Sequence, residues 1–140
     1  MSGEKARELP FQAVHQIARK ATFADGAAVM EIGDVPPCII TRIVSVKKTD
    51  FNAGTASTLA IGINYSDATT DDPAALVTGA NLASAVAQGP TALSFVDNAQ
   101  SIIAVPATIN YTLTLTGTAA TAGEMIIVVE FVPLSHVKGA

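Results

Sequence analysis

The sequence predicts an all-β protein, an antiparallel β-sandwich or jelly roll of about eight strands with an extended N-terminal arm. Three observations carry this. Ile109, Tyr111, Leu113 and Leu115 alternate with Thr108, Asn110, Thr112, Thr114 and Thr116, a period of two in β-branched and aromatic residues. Met125–Val132 is almost continuously apolar, with Glu130 its one charge, and a strand apolar on both faces is expected to be covered on both sides. Finally, Gly, Pro, Asn and Asp punctuate the chain at short intervals, with no βαβ rhythm. The two apolar stretches, joined by small residues around Gly117 and Gly123, are expected to form a hairpin inside two layers.

The elements follow in order. Met1–Leu9 is too hydrophilic to pack by itself and reads as a flexible start. After Pro10, Phe11–Ile17 alternates like a strand, and Gln12–Lys20 also fits a short helix; Pro10 before and the TFADG turn after favour the extended form. Residues 1–20 are therefore assigned as an arm, which fully extended reaches roughly 65 Å. Residues 21–133 form the β domain and residues 134–140 a tail. Thr22–Ala24 and Ala27–Ile32 flank Asp25-Gly26, a strand-turn-strand signal. Gly33-Asp34 and Pro36-Pro37 then break the pattern. Cys38–Lys48 is the longest early strand, Asp50–Thr55 a turn, and Ser57–Ile63 a strand with Leu59, Ile61 and Ile63 inward.

Asn64–Gln88 is the least regular region: an acidic loop at Asp67–Asp72, with helical turns expected within Pro73–Val77 and Ala80–Ala87. Thr91–Val96 and Ser101–Val105 are short strands, the second stopped by Pro106, and Pro133 ends the last strand.

At 140 residues the chain is one domain by size, large enough for a core without disulfides. Charged residues are 14% of the chain, well below the usual quarter, and 49% is hydrophobic. So neutral a surface points to burial against partners; a Thr/Ser/Asn-rich surface needing none is the alternative. The charge is also segregated. Lys5, Arg7, Arg19, Lys20, Arg42, Lys47 and Lys48 precede residue 49, and Thr49–Val137 holds no base but seven acids. That pattern suits an arm lying on another copy or another protein. It offers no basic stripe with interleaved aromatics, so nucleic acid is not an expected partner. MSGEKARELPFQ lacks the apolar segment of a signal peptide and no run reaches membrane-spanning length, so synthesis in the cytoplasm and no membrane partner are expected.

No catalytic constellation emerges. Cys38, the only cysteine, reads as a buried small hydrophobe. His15 and His136 lie near opposite ends of the chain without acids or Cys at ligand spacing. Asp67–Asp72 lacks the central Gly and closing Glu of a calcium loop, so a solvated turn is the simpler reading. There is no phosphate-binding Gly motif and no G-x-S-x-G elbow. The expectation is a non-enzyme with no cofactor, metal or small-molecule substrate.

FADGAAVMEIGDVPPCIITRIVSVKKTDFNAGTASTLAIGI and, after the acidic loop, TGTAATAGEMIIVVEFV resemble the capsid cement (decoration) proteins of tailed bacteriophages. The likeness covers about Ala21–Val132, and its most specific parts are the FNAGT turn and the TAGE lead into the final strand. The resemblance implies a jelly-roll-like fold, no enzymatic activity, and binding outside the shell between neighbouring capsomers of the major capsid protein. The implied location is the capsid surface of the virion. A tail, baseplate or receptor-binding β-sandwich is the alternative. Two-fold pairs are the commonest closed assembly, so a homodimer is expected over a trimer. The arm residues Phe11, Val14, Ile17, Arg19 and Lys20 are the candidate partner interface, from their alternation, basic end and reach.

Overall fold

A computed structural model describes residues 15–83 and 89–139. The strands are β1 (His15–Thr22), β2 (Met30–Val35), β3 (Cys38–Thr49), β4 (Ala56–Tyr65), β5 (Asp72–Asn81), β6 (Gly89–Ala92), β7 (Ile102–Ile103), β8 (Ala107–Thr116) and β9 (Glu124–Pro133). Three short 3₁₀ turns complete the described elements. One sheet runs β1-β9-β3-β6, with β7 also on β3; the other runs β2-β8-β4-β5. All pairings are antiparallel.

The pairing is nested. First strand pairs with last, second with penultimate, third with the short β6 and β7, and the middle two with each other. A long hairpin rolled up in this way is a jelly roll. The expected sandwich is therefore present, with the strand opposite the end of β3 divided in two.

Two local expectations are corrected by this topology. β8 and β9 are not hairpin partners: β8 lies between β2 and β4, β9 between β1 and β3. Their small-residue connection instead crosses between sheets and is docked on the Asp50–Thr55 turn. Gly54 N–H donates to Thr118 O at 2.9 Å, and Asn52 Oδ1 accepts from the N–H of Thr121 and Ala122 at 2.9 and 3.0 Å. Gly123, at φ +148°, leaves room for the Phe51 ring; a Cβ there meets it at 2.4 Å. Asp25-Gly26 likewise leads from one sheet to the other rather than closing a hairpin.

A third correction concerns β5, expected to contain a helical turn. Its register against β4 jumps from Ile61↔Val77 to Ile63↔Asp72, so the intervening residues bulge, which blurs the period-two signal. Leu76 is nonetheless fully buried. Gly33 and Asp34 continue β2 across a bulge instead of ending it. The 80–87 expectation lies partly outside the described residues.

The boundary of the arm also moves. His15–Lys20 belongs to β1, the edge strand paired along its length with β9, so the extended reading of those residues holds and the helical one does not. Residues 1–14 lie outside the described residues.

The core fills the space between the sheets. Ile40 and Ile43 of β3 and Met125, Ile127, Val129 and Phe131 of β9 meet Leu59, Ile61 and Ile63 of β4 and Ile109, Tyr111 and Leu113 of β8. Each large aliphatic side chain buried there stabilises by roughly 1.5–3 kcal/mol.

Candidate functional site: the open face of one sheet

Of the five arm residues proposed from the sequence, Phe11 and Val14 lie outside the described residues. Ile17 turns inward and packs against the core beside Gly33. Arg19 shares that side of β1, and its Nη1 donates to Glu31 O on β2 at 2.7 Å, tying the two sheets together. Lys20 alone of the three described residues projects from the outer face. The alternation read from the sequence was real; the side it buries is the sandwich interior.

Next to Arg19 the same seam holds Tyr111, whose hydroxyl donates to Asp25 Oδ2 at 2.6 Å while Asp25 also accepts from Thr22 N–H. Burial, then the bond to Asp25, push the phenol's pKa up, and the nearby guanidinium opposes this. With Tyr111 fully buried and Asp25 held by both the phenol and the Thr22 amide, this cluster is structural.

β9 is where sequence and structure part most usefully. Its inward residues meet the second sheet, as expected of an apolar strand. Its outward residues, Glu124, Ile126, Val128, Glu130 and Val132, have no covering layer among the described residues. They align with Lys20, Ala18 and Gln16 on β1 and with Val46, Val44, Arg42 and Ile39 on β3. Ile102 of β7 extends the row of Ile39. Ile126 and Ile102 are 44% and 58% exposed, although both are large and apolar.

The charges sit in two rows across this apolar ground. At one end, Glu124 lies 3.9 Å from Lys20 and 3.3 Å from Lys48. Nearer the other, Gln16 donates to Glu130 Oε1 at 3.0 Å, with Arg42 the cross-strand neighbour of Glu130. The surface is thus apolar ground crossed by two charged rows, with the basic side chains of Lys20, Lys48 and Arg42 set in them. The signal was legible as an apolar run too rich for a half-buried strand, but nothing local says which of its two faces is covered.

Other candidates are narrower. His15 and His136 are brought together by the fold, with ring centroids 5.4 Å apart, and His15 also stacks on Phe131 at 5.7 Å. Sequence distance hid this meeting of the chain's two ends. Among the described residues no group of three or more His, Cys, Asp or Glu is placed to hold a metal ion. Cys38 is fully buried, and burial pushes its thiol up to about 11, the opposite of nucleophile activation.

In the acidic loop, Asp67 accepts from Thr69 N–H and Asp71 from Tyr65 N–H. These are turn-forming bonds, and those from Thr69 hold the Asp67 carboxyl below its ordinary pKa. Lys47, a buried cation, donates to Ala83 O and pairs with Asp50 at 2.8 Å, bracing β3 against the next loop. No helix among the described residues is long and apolar enough to cross a membrane.

An antiparallel jelly roll with a bare apolar sheet face has the build of a binding or assembly module. No family model and no curated protein matches the chain. In fold it is similar to a chain in the acidic stable capsid structure of Helicobacter pylori bacteriophage KHP30. That likeness has a TM-score of 0.58 at 13% identity, covering 86% of this chain and 89% of that one. At such identity the likeness is one of fold, and it extends over nearly the whole of both chains.

Proposed function

We propose that the protein is a non-enzymatic structural component of a phage virion, one that binds the outside of the capsid and cements neighbouring capsomers of the major capsid protein. The observation that carries this reading is the open apolar face on a rigid jelly roll. The fold shared with a phage capsid chain and the resemblance of the FNAGT and TAGE stretches to cement proteins, among them the cementing protein of a Bordetella phage, point the same way.

Mechanically, a cement protein must be stiff and must lay surface across a joint. The nested strands supply stiffness, since each long strand of the sandwich centre is paired on both sides. Apolar area removed from water at the joint, about 25 cal/mol per Å², supplies the adhesion. Repetition around a closed shell multiplies a modest contact into resistance of the whole particle. Residues 1–14, continuing from the edge strand β1, are the part of the proposed arm left to reach a neighbour, and a two-fold pair remains the proposed unit.

Mixing purified protein with expanded shells that lack it, followed by co-sedimentation, tests the reading. Saturable binding that raises the temperature at which shells disrupt is the expected result; no binding to shells, with binding instead to tails or baseplates, overturns it. Deleting residues 1–14 is expected to weaken attachment and leave the β body folded. Deleting residues 1–20 also removes most of β1 and is expected to destabilise the body.

A further inference from the structure

We infer that the outer face of the β1-β9-β3-β6 sheet is the surface that docks on the shell, and that its counterpart is an apolar patch of a shell subunit edged by carboxylates. This rests on the capsid-binding reading above and adds which side of the molecule faces the shell and what chemistry receives it.

The argument begins with residue choice. An outward-facing sheet position is readily filled with a polar or small residue, and the other sheet fills its positions with Thr, Asn and small residues. Here Ile39, Val46, Ile126, Val128, Val132 and Ile102 stand outward, flanking a buried Val44. The hydrophobic core contacts none of the outward residues of β9. Burial inside the sandwich therefore does not explain them, whereas burial against another molecule does.

Charge then selects the partner. Five of the six bases among the described residues lie on β1 and β3, and Lys20, Arg42 and Lys48 project from this face. The side chains of Lys20 and Lys48 remain 62% and 77% exposed even beside Glu124, whose single carboxylate is shared between them. Three cations against the two carboxylates of Glu124 and Glu130 leave the face positive on a chain whose formal net charge is −4. Two copies meeting face to face would bring like excess charge together; a partner with carboxylates at its margins would pair it.

Size argues the same way. With strands about 4.8 Å apart and about 3.4 Å per residue, the face measures roughly 500 Å². That is short of the roughly 800 Å² each partner contributes to a stable pair. As a flat footprint the face is at the small end for a pair of copies held by it alone. A shell surface that also touches the sheet edges adds further area.

The experiment compares Ile126→Glu and Lys48→Glu with Thr114→Glu, an exposed position on the other sheet, in shell co-sedimentation, with circular dichroism and sedimentation velocity on each variant. Expected are intact folding throughout, binding weakened at least about tenfold for Ile126→Glu, severalfold weakening with reduced salt dependence for Lys48→Glu, and unchanged binding for Thr114→Glu. Shell binding by the unmodified protein that none of the face variants alters overturns the inference and leaves the cement reading standing. Failure of the unmodified protein to bind shells overturns both. A variant that splits an oligomer while still binding shells assigns the face to a second copy and overturns the inference. Should Ile126→Glu not fold, Lys48→Glu, at a highly exposed position, decides alone.

Discussion

The two outer faces of the sandwich are built from the same strand geometry and dressed in opposite ways. On the β2-β8-β4-β5 sheet, outward residues are Thr and Asn on β8 and small residues on β4, cross-linked to each other. Asn110 donates to Asn64 Oδ1 at 2.9 Å, and Thr108 to Asp34 Oδ1 at 2.7 Å. Part of that face is covered by its own chain, because Gly62 lets the Asp72–Pro73 backbone cross close over β4. On the β1-β9-β3-β6 face the side-chain links are confined to the charged residues, Gln16 with Glu130 and Lys20 and Lys48 with Glu124, and among the described residues no strand crosses over its apolar positions. One face is finished within the chain; the other is apolar and open among the described residues, and on the inference above that difference marks the docking side.

The comparison can be broken at several points. The largest effect is expected at Gly62→Ala, where the new Cβ falls 2.3–2.4 Å from the Asp72–Pro73 backbone and cannot be relieved by a flexible side chain. A loss of about 2–3 kcal/mol in urea unfolding is expected; a neutral outcome removes self-covering from the contrast.

Alkaline pH probes the interior that both faces share. The Cys38 thiol titrates near 11 in the folded protein, so above the ordinary thiol range the unfolded chain gives up a proton that the folded chain keeps. Stability is then full below about pH 8.5 and falls by about 2 kcal/mol as pH approaches 11. Burial of Tyr111 acts in the same direction. Native Cys38 should correspondingly resist thiol reagents at pH 8 and react on unfolding; rapid labelling of the native protein contradicts its placement.

A smaller effect is expected at the seam. Tyr111→Phe removes the donor to Asp25 and should cost about 1 kcal/mol. The smallest belongs to the open face itself. Ile126→Thr keeps the β-branched shape at an exposed position and should change stability of the isolated protein by less than about 0.5 kcal/mol. A cost of several kcal/mol there means the face is already covered within the free protein, and the contrast between faces disappears.

Much of the fold was written in local pattern. The alternation in β8 gave both the strand and its inward face, because period two survives wherever one side is wet. Cys38–Lys48 and the Asp50–Thr55 turn were equally plain. What local pattern does not contain is which strand pairs with which. FNAGT and TAGE were singled out separately, yet they form one structure, with Phe51 against Gly123 and Asn52 bonded to Thr121 and Ala122. The hairpins expected at Asp25-Gly26 and at Gly117–Gly123 failed for the same reason: a turn fixes a change of direction, and the long-range nesting decides whether its strands share a sheet.

The proposed surface was only partly legible in sequence. Low charge and segregated bases suggested a surface made to meet a partner, and the arm was singled out because its alternation and basic end were conspicuous. Ile17 and Arg19 proved to serve the sandwich interior and its seam, while the bare face is assembled from β1, β9, β3 and β7, far apart in sequence. Its strongest clue, the doubly apolar β9, was read as covered on both sides. Only the sheet order shows that one side is open.

Amine labelling of Lys20 and Lys48, with carbodiimide-mediated labelling of Asp67 and Asp71 in parallel, read by mass spectrometry in the free and the shell-bound protein, tests that claim most directly. If the open face docks on the shell, both amines lose reactivity on binding while the carboxylates of Asp67 and Asp71 on the acidic loop stay as reactive as before. Unchanged lysine labelling together with protection of the acidic loop would put the partner on the opposite side of the molecule and contradict the account.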